Sequence, residues 1–407
     1  EHARRARDMR FDWLYVNPVH FPGFSGSCYA VKDIDRIDPL LLPDDHPDRN
    51  YDRCIRGDGG VELLAETLSA IRVLGMHPMI DLVLNHTSRD AALVKQHPEW
   101  YVRDEHGDIQ SPSAIDPADA RRVTVWGDLA QLDHHGSADR DGLWEYWIRR
   151  VERFVDLGFE GFRCDAAYKV PAELWSHLIA AARRRNPHVL FIAETLGARL
   201  EEIEALRDSG MEYLLNSSKY WAFDAPWCLD QQRDMAPHMR SVGFPESHDT
   251  PRLWADTGGN EAAHRQRYAF AAAFSSGVLM PIGYEFGFSR PLHVVHTRPD
   301  DWETAQIDLA PFIERVHEIC WSVDAFQSEA VEALTPLHRP TLLLEKRADG
   351  SNAFIAINKD WHAPQRIDLP EAARGSQVLR VCREARPPDE ASSRALDLGP
   401  AEVAYLI

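Results

Sequence analysis

The chain is poor in cysteine, with six spread over 407 residues and no CxxC pair. That scatter argues against a disulfide framework or a common zinc framework, and it fits a reducing, cytoplasmic compartment. No block of Lys and Arg stands out, and the formal net charge is −19. Nucleic acid and anionic membrane surfaces are therefore poor partners. No apolar run is long enough to cross a bilayer, and no signal peptide opens the chain. Glu1-His2 looks like a trimmed start, so a lost leader stays open. No glycine-rich phosphate loop follows a strand-like run, which lowers the doubly wound alternative.

What is present is an alternation of apolar strands and amphipathic helices. Strand-like runs are Phe11 to Pro18, Met79 to His86, Gly158 to Ala167, His188 to Glu194, Glu212 to Asn216, Val242 to Pro245 and Val278 to Tyr284. Helical spacing is read over Gly57–Leu74, Leu143–Leu157 and Pro171–Arg185, and over 199–209, 228–240, 261–275 and 310–323. This alternation predicts a parallel α/β fold, best matched by a (β/α)8 TIM barrel. Residues 87–140 break the pattern, being rich in Asp, His, Pro and Arg, and read as an inserted subdomain. From residue 329 short β runs separated by turns predict a C-terminal antiparallel β-sandwich. The expected division is a barrel over 1–86 and 141–328, an insertion over 87–140 and a sandwich over 329–407.

Ionisable residues gather where strands should end. Arg163 and Asp165 are two apart, so they share one face of a strand. Asp81, with Asn85 and His86, closes one run, Glu194 closes another, and His248-Asp249 follows a third. In a barrel those C-terminal ends form the working face.

The four stretches Asp81-Leu82-Val83-Leu84-Asn85-His86, Gly161-Phe162-Arg163-Cys164-Asp165, Glu194 and His248-Asp249 resemble, in order, the four signature regions of the α-amylase family (glycoside hydrolase family 13). Tyr29, with Asp33 and Ile37-Asp38-Pro39, resembles the segment carrying the aromatic of subsite −1. A nearer resemblance is to the maltose-1-phosphate maltosyltransferases, through His97-Pro98-Glu99-Trp100-Tyr101, Asp104 to Gly107, and Lys169 to Trp175. Asn85-His86 and His248-Asp249 look more like ordinary amylases. Against the family pattern, the first barrel strand is missing before Phe11, which makes the insertion one that follows the third family strand.

Retaining cleavage of a glycosidic bond needs two carboxyls about 5–5.5 Å apart, one to attack C1 and one to protonate the leaving oxygen. Asp165, beside Arg163, fits the nucleophile, and Glu194, after a wholly apolar strand with no adjacent cation, fits the general acid/base. The resemblance implies that Asp249 stabilises the transition state, that His86 and His248 bind hydroxyls at subsite −1, that Tyr29 stacks on the sugar, and that Lys169 lies near the +1 side. Asp81 reads as a hydrogen-bonding support. Trp100, Trp126 and Trp144 are either sugar platforms or core.

No cofactor is required by this chemistry. Asn85 could help hold calcium, as in many amylases, but no site is assigned and no metal ligand is named. The expected substrates are α-glucan or malto-oligosaccharide, with maltose 1-phosphate as a candidate donor and a homo-oligomer left open. A hydrolase, a catalytically silent carbohydrate binder and an interaction scaffold are the alternatives.

Overall fold

The computed structural model describes residues 1–50, 59–116, 119–382, 389–390 and 394–407. The chain divides into two compact units, one built from Glu1–Arg7, Phe11–Tyr213 and Val294–His296, the other from Asp8–Arg10, Leu214–His293 and Thr297–Ile407.

The first unit is organised on four parallel strands in the order β1 (Trp13–Val16), β2 (His77–Leu82), β3 (Gly161–Cys164) and β4 (Leu190–Ala193). Helix α1 (Val61–Val73) leads into β2, α2 (Arg140–Leu157) into β3, and α3 (Ala172–Arg185) into β4. Parallel neighbours need such crossovers, and each helix lays an apolar stripe inward, as with Leu143, Trp147, Val151 and Phe154 of α2. Asp139 caps α2 by accepting from Gly142 N at 3.2 Å, and Gly158 ends it in the left-handed region at φ 115°.

All four residues of β3 are buried, as expected of a strand covered on both faces. Gly161 is required there: a Cβ would lie 2.6 Å from the Trp13 ring and 2.8 Å from Met79 Cε. Before β1 the described chain forms the helix His2–Asp8, and β1 stands at the sheet edge. The helix expected from Gly57 runs from Val61; Gly57 lies outside the described residues.

The insertion is more ordered than its composition suggested. His86–Ser88 pairs with Leu129–Gln131, and Ser113–Asp116 pairs with Asp119–Val125, both antiparallel. Trp100 and Trp144 are buried at 3% and 6% exposure, which makes them core, whereas Trp126 is 43% exposed. Val31–Ile37 pairs antiparallel with His20–Pro22.

In the second unit Arg240–Gly243 pairs in parallel with Gly277–Val278. The helices Glu261–Phe274 and Ala310–Ser322 fall where the spacing placed them, whereas the one read over 228–240 runs over Trp227–Met235 and Arg240 opens a strand. Its C-terminal part is a six-stranded antiparallel-paired sheet that includes Thr341–Ala348, Ser351–Asn358 and Val403–Leu406, plus the two-stranded ribbon Gln365–Asp368 with Ala395–Leu398. Ile367, Leu396 and Leu398 from the ribbon share one buried cluster with Leu343, Phe354 and Leu406 from the larger sheet. The sandwich is therefore present, with unequal layers.

Candidate active site

Strand register decides which side chains meet in the first unit. Asp81 of β2 is level with Arg163 of β3, and Cys164 of β3 is level with Ala193 of β4. One residue further, Asp165 and Glu194 leave adjacent strands side by side on the face that Arg163 shares. Main-chain bonds continue the pattern past the strand ends: Asp165 N donates to Leu82 O at 3.1 Å and Glu194 N to Cys164 O at 3.0 Å.

Arg163 and Asp81 are both buried, with side chains 4% and 0% exposed, and Arg163 Nη1 reaches Asp81 Oδ2 at 2.6 Å. The same oxygen accepts Tyr15 Oη at 2.5 Å and Tyr29 Oη at 2.6 Å. Three donors on one oxygen secure the charge in a desolvated place, while Asp81 Oδ1 is buried with no hydrogen-bond partner. Burial alone would lower the Arg163 pKa, but Asp81, Tyr15, Tyr29 and Glu194 outweigh it and hold the guanidinium well above its ordinary value. Burial, helped by Asp81, likewise raises both phenols, although Arg163 opposes it. The guanidinium and the two phenols therefore each keep one charge state near neutrality.

Arg163 Nη1 also lies 3.4 Å from Asp165 Oδ1, and the Asp165 side chain is 16% exposed. Positive charge beside a partly open carboxylate is what a carboxylate nucleophile needs. Glu194 is 6% exposed. Its Oε2 accepts from Ala166 N at 2.9 Å and its Oε1 from Leu196 N. The sequence shows no cation next to Glu194, yet the fold brings Arg163 within electrostatic range. The spatial neighbours of Glu194 are thus richer than its flanking residues suggested.

His86 is buried, which pushes its pKa down to about 4, so the imidazole is neutral above that pH. Its Nδ1 is 3.3 Å from the Asn85 amide. Lys169 is exposed, with Nζ 5.1 Å from the Tyr168 ring centroid. In the second unit His248 Nε2 is 3.2 Å from Asp249 Oδ2, and the Asp249 side chain is 38% exposed. The turn carrying this pair is closed by Ser247 N to Thr250 Oγ1 at 2.9 Å and Asp249 N to Ser247 Oγ at 3.2 Å.

Sequence reasoning missed three residues. Tyr15 was read only as part of an apolar strand. Glu246 and Arg252, 1% and 3% exposed, pair at 2.7 Å around the His248-Asp249 turn. Arg252 also donates to Ile282 O at 2.9 Å and Arg290 O at 3.1 Å. Their placement six residues apart astride His248-Asp249 was the available signal.

Among the described residues, the one group of three or more His, Cys, Asp or Glu with ligand atoms all within 4.8 Å is His97, Glu99 and Asp139. These side chains already have partners: His97 Nδ1 with Glu99 Oε1 at 3.1 Å, and Asp139 Oδ2 with Trp100 Nε1 at 3.0 Å.

Solved structures share this architecture. An α-amylase from Lactobacillus plantarum superposes with a TM-score of 0.75 at 19% identity, covering 100% of this chain and 93% of that one. The chain has the α-amylase fold. A trehalulose synthase from Pseudomonas mesoacidophila shares the same fold, with a TM-score of 0.75 at 13% identity over 98% of this chain and 92% of that one. Residues 1–106 match the family described as glycogen debranching enzyme, glucanotransferase domain.

Curated sequence relatives of this α-amylase-fold chain are named alpha-1,4-glucan:maltose-1-phosphate maltosyltransferase. The one from Burkholderia pseudomallei is 28% identical over 79% of this chain and 29% of its own length. The one from Salinibacter ruber is 22% identical over 97% of this chain and 60% of its own length. The chain thus spans less than two thirds of these relatives. The resemblance to the α-amylase family and its maltosyltransferases, read from short motifs, agrees with these matches.

Proposed function

We propose that this chain is an enzyme of α-1,4-glucan metabolism that moves a maltosyl unit by double displacement with retention. The observation that carries this reading is the register of β3 and β4. It sets Asp165 and Glu194 on neighbouring strands that share a face, with the Arg163 guanidinium 3.4 Å from Asp165. Adjacent strands lie about 4.8 Å apart, which suits the short carboxyl spacing of retaining enzymes. The maltosyltransferase relatives support an α-glucan acceptor and maltose 1-phosphate as donor.

In this reading Asp165 attacks C1 and Glu194 protonates the departing oxygen. Glu194 then takes the proton from the incoming hydroxyl, and Asp165 departs. Tyr29 stacks on the sugar, with its hydroxyl tied to Asp81. His86, neutral, and His248 bind sugar hydroxyls, and Asp249 serves the transition state, as the motif resemblance implies. Lys169 lies on the acceptor side. No step requires a metal.

The test is product analysis with maltose 1-phosphate plus a short malto-oligosaccharide, beside the oligosaccharide alone. Elongation by two glucose units with release of phosphate is the expected result. Shorter sugars from the oligosaccharide alone would replace transfer with hydrolysis, and no turnover in either tube would favour a silent binder.

A further inference from the structure

Ala166 follows Asp165 directly and has φ 42° and ψ 48°, the left-handed region. It is one of four non-glycine residues with positive φ among the described residues. Alanine is disfavoured there, because Cβ crowds the following carbonyl. Such a conformation persists where its surroundings over-determine it, and these do. Lys169 N donates to Ala166 O at 2.8 Å, and Ala167 N donates to Glu194 O at 3.2 Å. Trp175 Nε1 donates to Ala167 O at 3.0 Å. These bonds are enough to end the strand and turn the chain. The bond from Ala166 N to Glu194 Oε2, at 2.9 Å, is additional to them and engages the side chain.

We propose that Ala166 is a positioning residue: its left-handed turn aims a main-chain N–H at the Glu194 carboxyl and so fixes the acid/base relative to the nucleophile one residue earlier. This rests on the retaining reading above and deepens it.

The chemistry gives the contact a specific consequence. In the first step an Asp165 oxygen bonds to C1, and the C1–O bond breaks with its electron pair going to the leaving oxygen. That oxygen takes the proton that Glu194 carries, leaving Glu194 as the carboxylate. An N–H donor on Oε2 can stay in place in both protonation states, because a protonated carboxyl oxygen keeps a lone pair. Oε1 accepts from Leu196 N–H in this structure. The Ala166 N–H therefore ties the Glu194 carboxyl to the turn that follows the nucleophile throughout the proton transfer.

A leaving group that needs no proton separates this role from a merely structural one. α-Maltosyl fluoride loses fluoride as the free anion, whereas a malto-oligosaccharide donor, turned over with inorganic phosphate in the reverse of the proposed transfer, must have its departing oxygen protonated. For both donors kcat/KM reads the steps up to the glycosyl-enzyme. Ala166→Val, with a β-branched side chain that resists positive φ, should lower the ratio of oligosaccharide to fluoride kcat/KM by ~30-fold or more, part of the ~10²–10⁴ that a general acid supplies. Ala166→Gly accepts this φ without confining the chain to it, and should move the ratio the same way by about 3-fold. Circular dichroism checks that each variant is folded, and if the valine protein is not, the glycine variant decides.

Glu194→Gln is the positive control and should show the largest split. Equal losses on both donors, or an unchanged ratio in a folded variant, would overturn the positioning role while leaving the retaining reading intact. A wild-type chain inert toward both donors would overturn the retaining reading itself, and this role with it.

Discussion

Asp81→Asn should loosen the first unit far more than a one-atom change suggests. Asp81 Oδ2 holds Arg163 at 2.6 Å, Tyr29 at 2.6 Å and Tyr15 at 2.5 Å, with the Asp81 side chain 0% and that of Arg163 4% exposed. Asparagine keeps the volume and can still accept from a phenol, so little packing is lost. What is lost is the charge facing a buried guanidinium. Removing one partner of such a pair costs ~3–5 kcal/mol, because the other is left charged and desolvated. A body of about 200 residues loses ~2–4 °C of melting temperature per kcal/mol, so a fall of ~6–20 °C is expected. Near-ultraviolet circular dichroism and tryptophan fluorescence would follow it, with urea unfolding as the second measure.

Tyr15→Phe removes one hydrogen bond to the same oxygen and should cost ~1.5–3 kcal/mol, the range for bonds to charged groups. A double replacement, Asp81→Leu with Arg163→Met, should recover part of the single-mutant loss, since no buried charge is then orphaned. A midpoint for Asp81→Asn within ~3 °C of wild type would refute the reasoning and imply that water already reaches Arg163.

Asp165→Asn should abolish glycosyl transfer by ~10³-fold or more with an unchanged melt; a variant retaining a tenth of wild-type turnover would remove Asp165 as nucleophile. Arg252→Met leaves Glu246 buried and unpaired and should cost ~3–5 kcal/mol in urea unfolding, with the second unit reporting it. Burial pushes His20, His86, His134, His264 and His317 down to about 4 in the folded chain. The unfolded chain binds those protons first, near its ordinary pKa of about 6.5, so stability is whole above that pH and falls on acidification toward about 4. A melting temperature flat from pH 6.5 to 4.5 would contradict the burial of these rings. Lys346 is buried and lowered to about 8 by desolvation, with Nζ donating to Phe274 O at 2.6 Å. The sign is the same, in a higher window: the folded chain sheds the proton first, so stability should rise from about pH 8 toward 10.5, and Lys346→Met should remove that rise.

The parts of the fold legible in the sequence were those with a long-range pattern. Helix α2 was found from its apolar spacing, and β3 and β4 from apolar runs closing on Asp165 and Glu194. The insertion was opaque because its strands are only three to seven residues long, too short for a period to stand out. Tyr15 was hidden because a phenol packed among apolar neighbours and one bonded to a buried carboxylate look alike in Trp13–Val16. The strand before Glu194 is apolar, but its partners are Ala166 N, Leu196 N and the field of Arg163, and the register of β3 against β4 brings Ala166 and Arg163 to it. The pairing of Glu246 with Arg252 depends on a closed turn, which no periodicity announces.

The level placement of Cys164 and Ala193 has a consequence for how such a chain can diversify. The backbone spacing beneath the two carboxyl groups is set by a peptide ladder, so it acts as a ruler that outer loops do not recalibrate. In the retaining reading, segments such as the paired Ser113–Asp116 and Asp119–Val125 can change without disturbing that spacing, so substrate choice and stereochemical outcome would be written on separable parts of one chain.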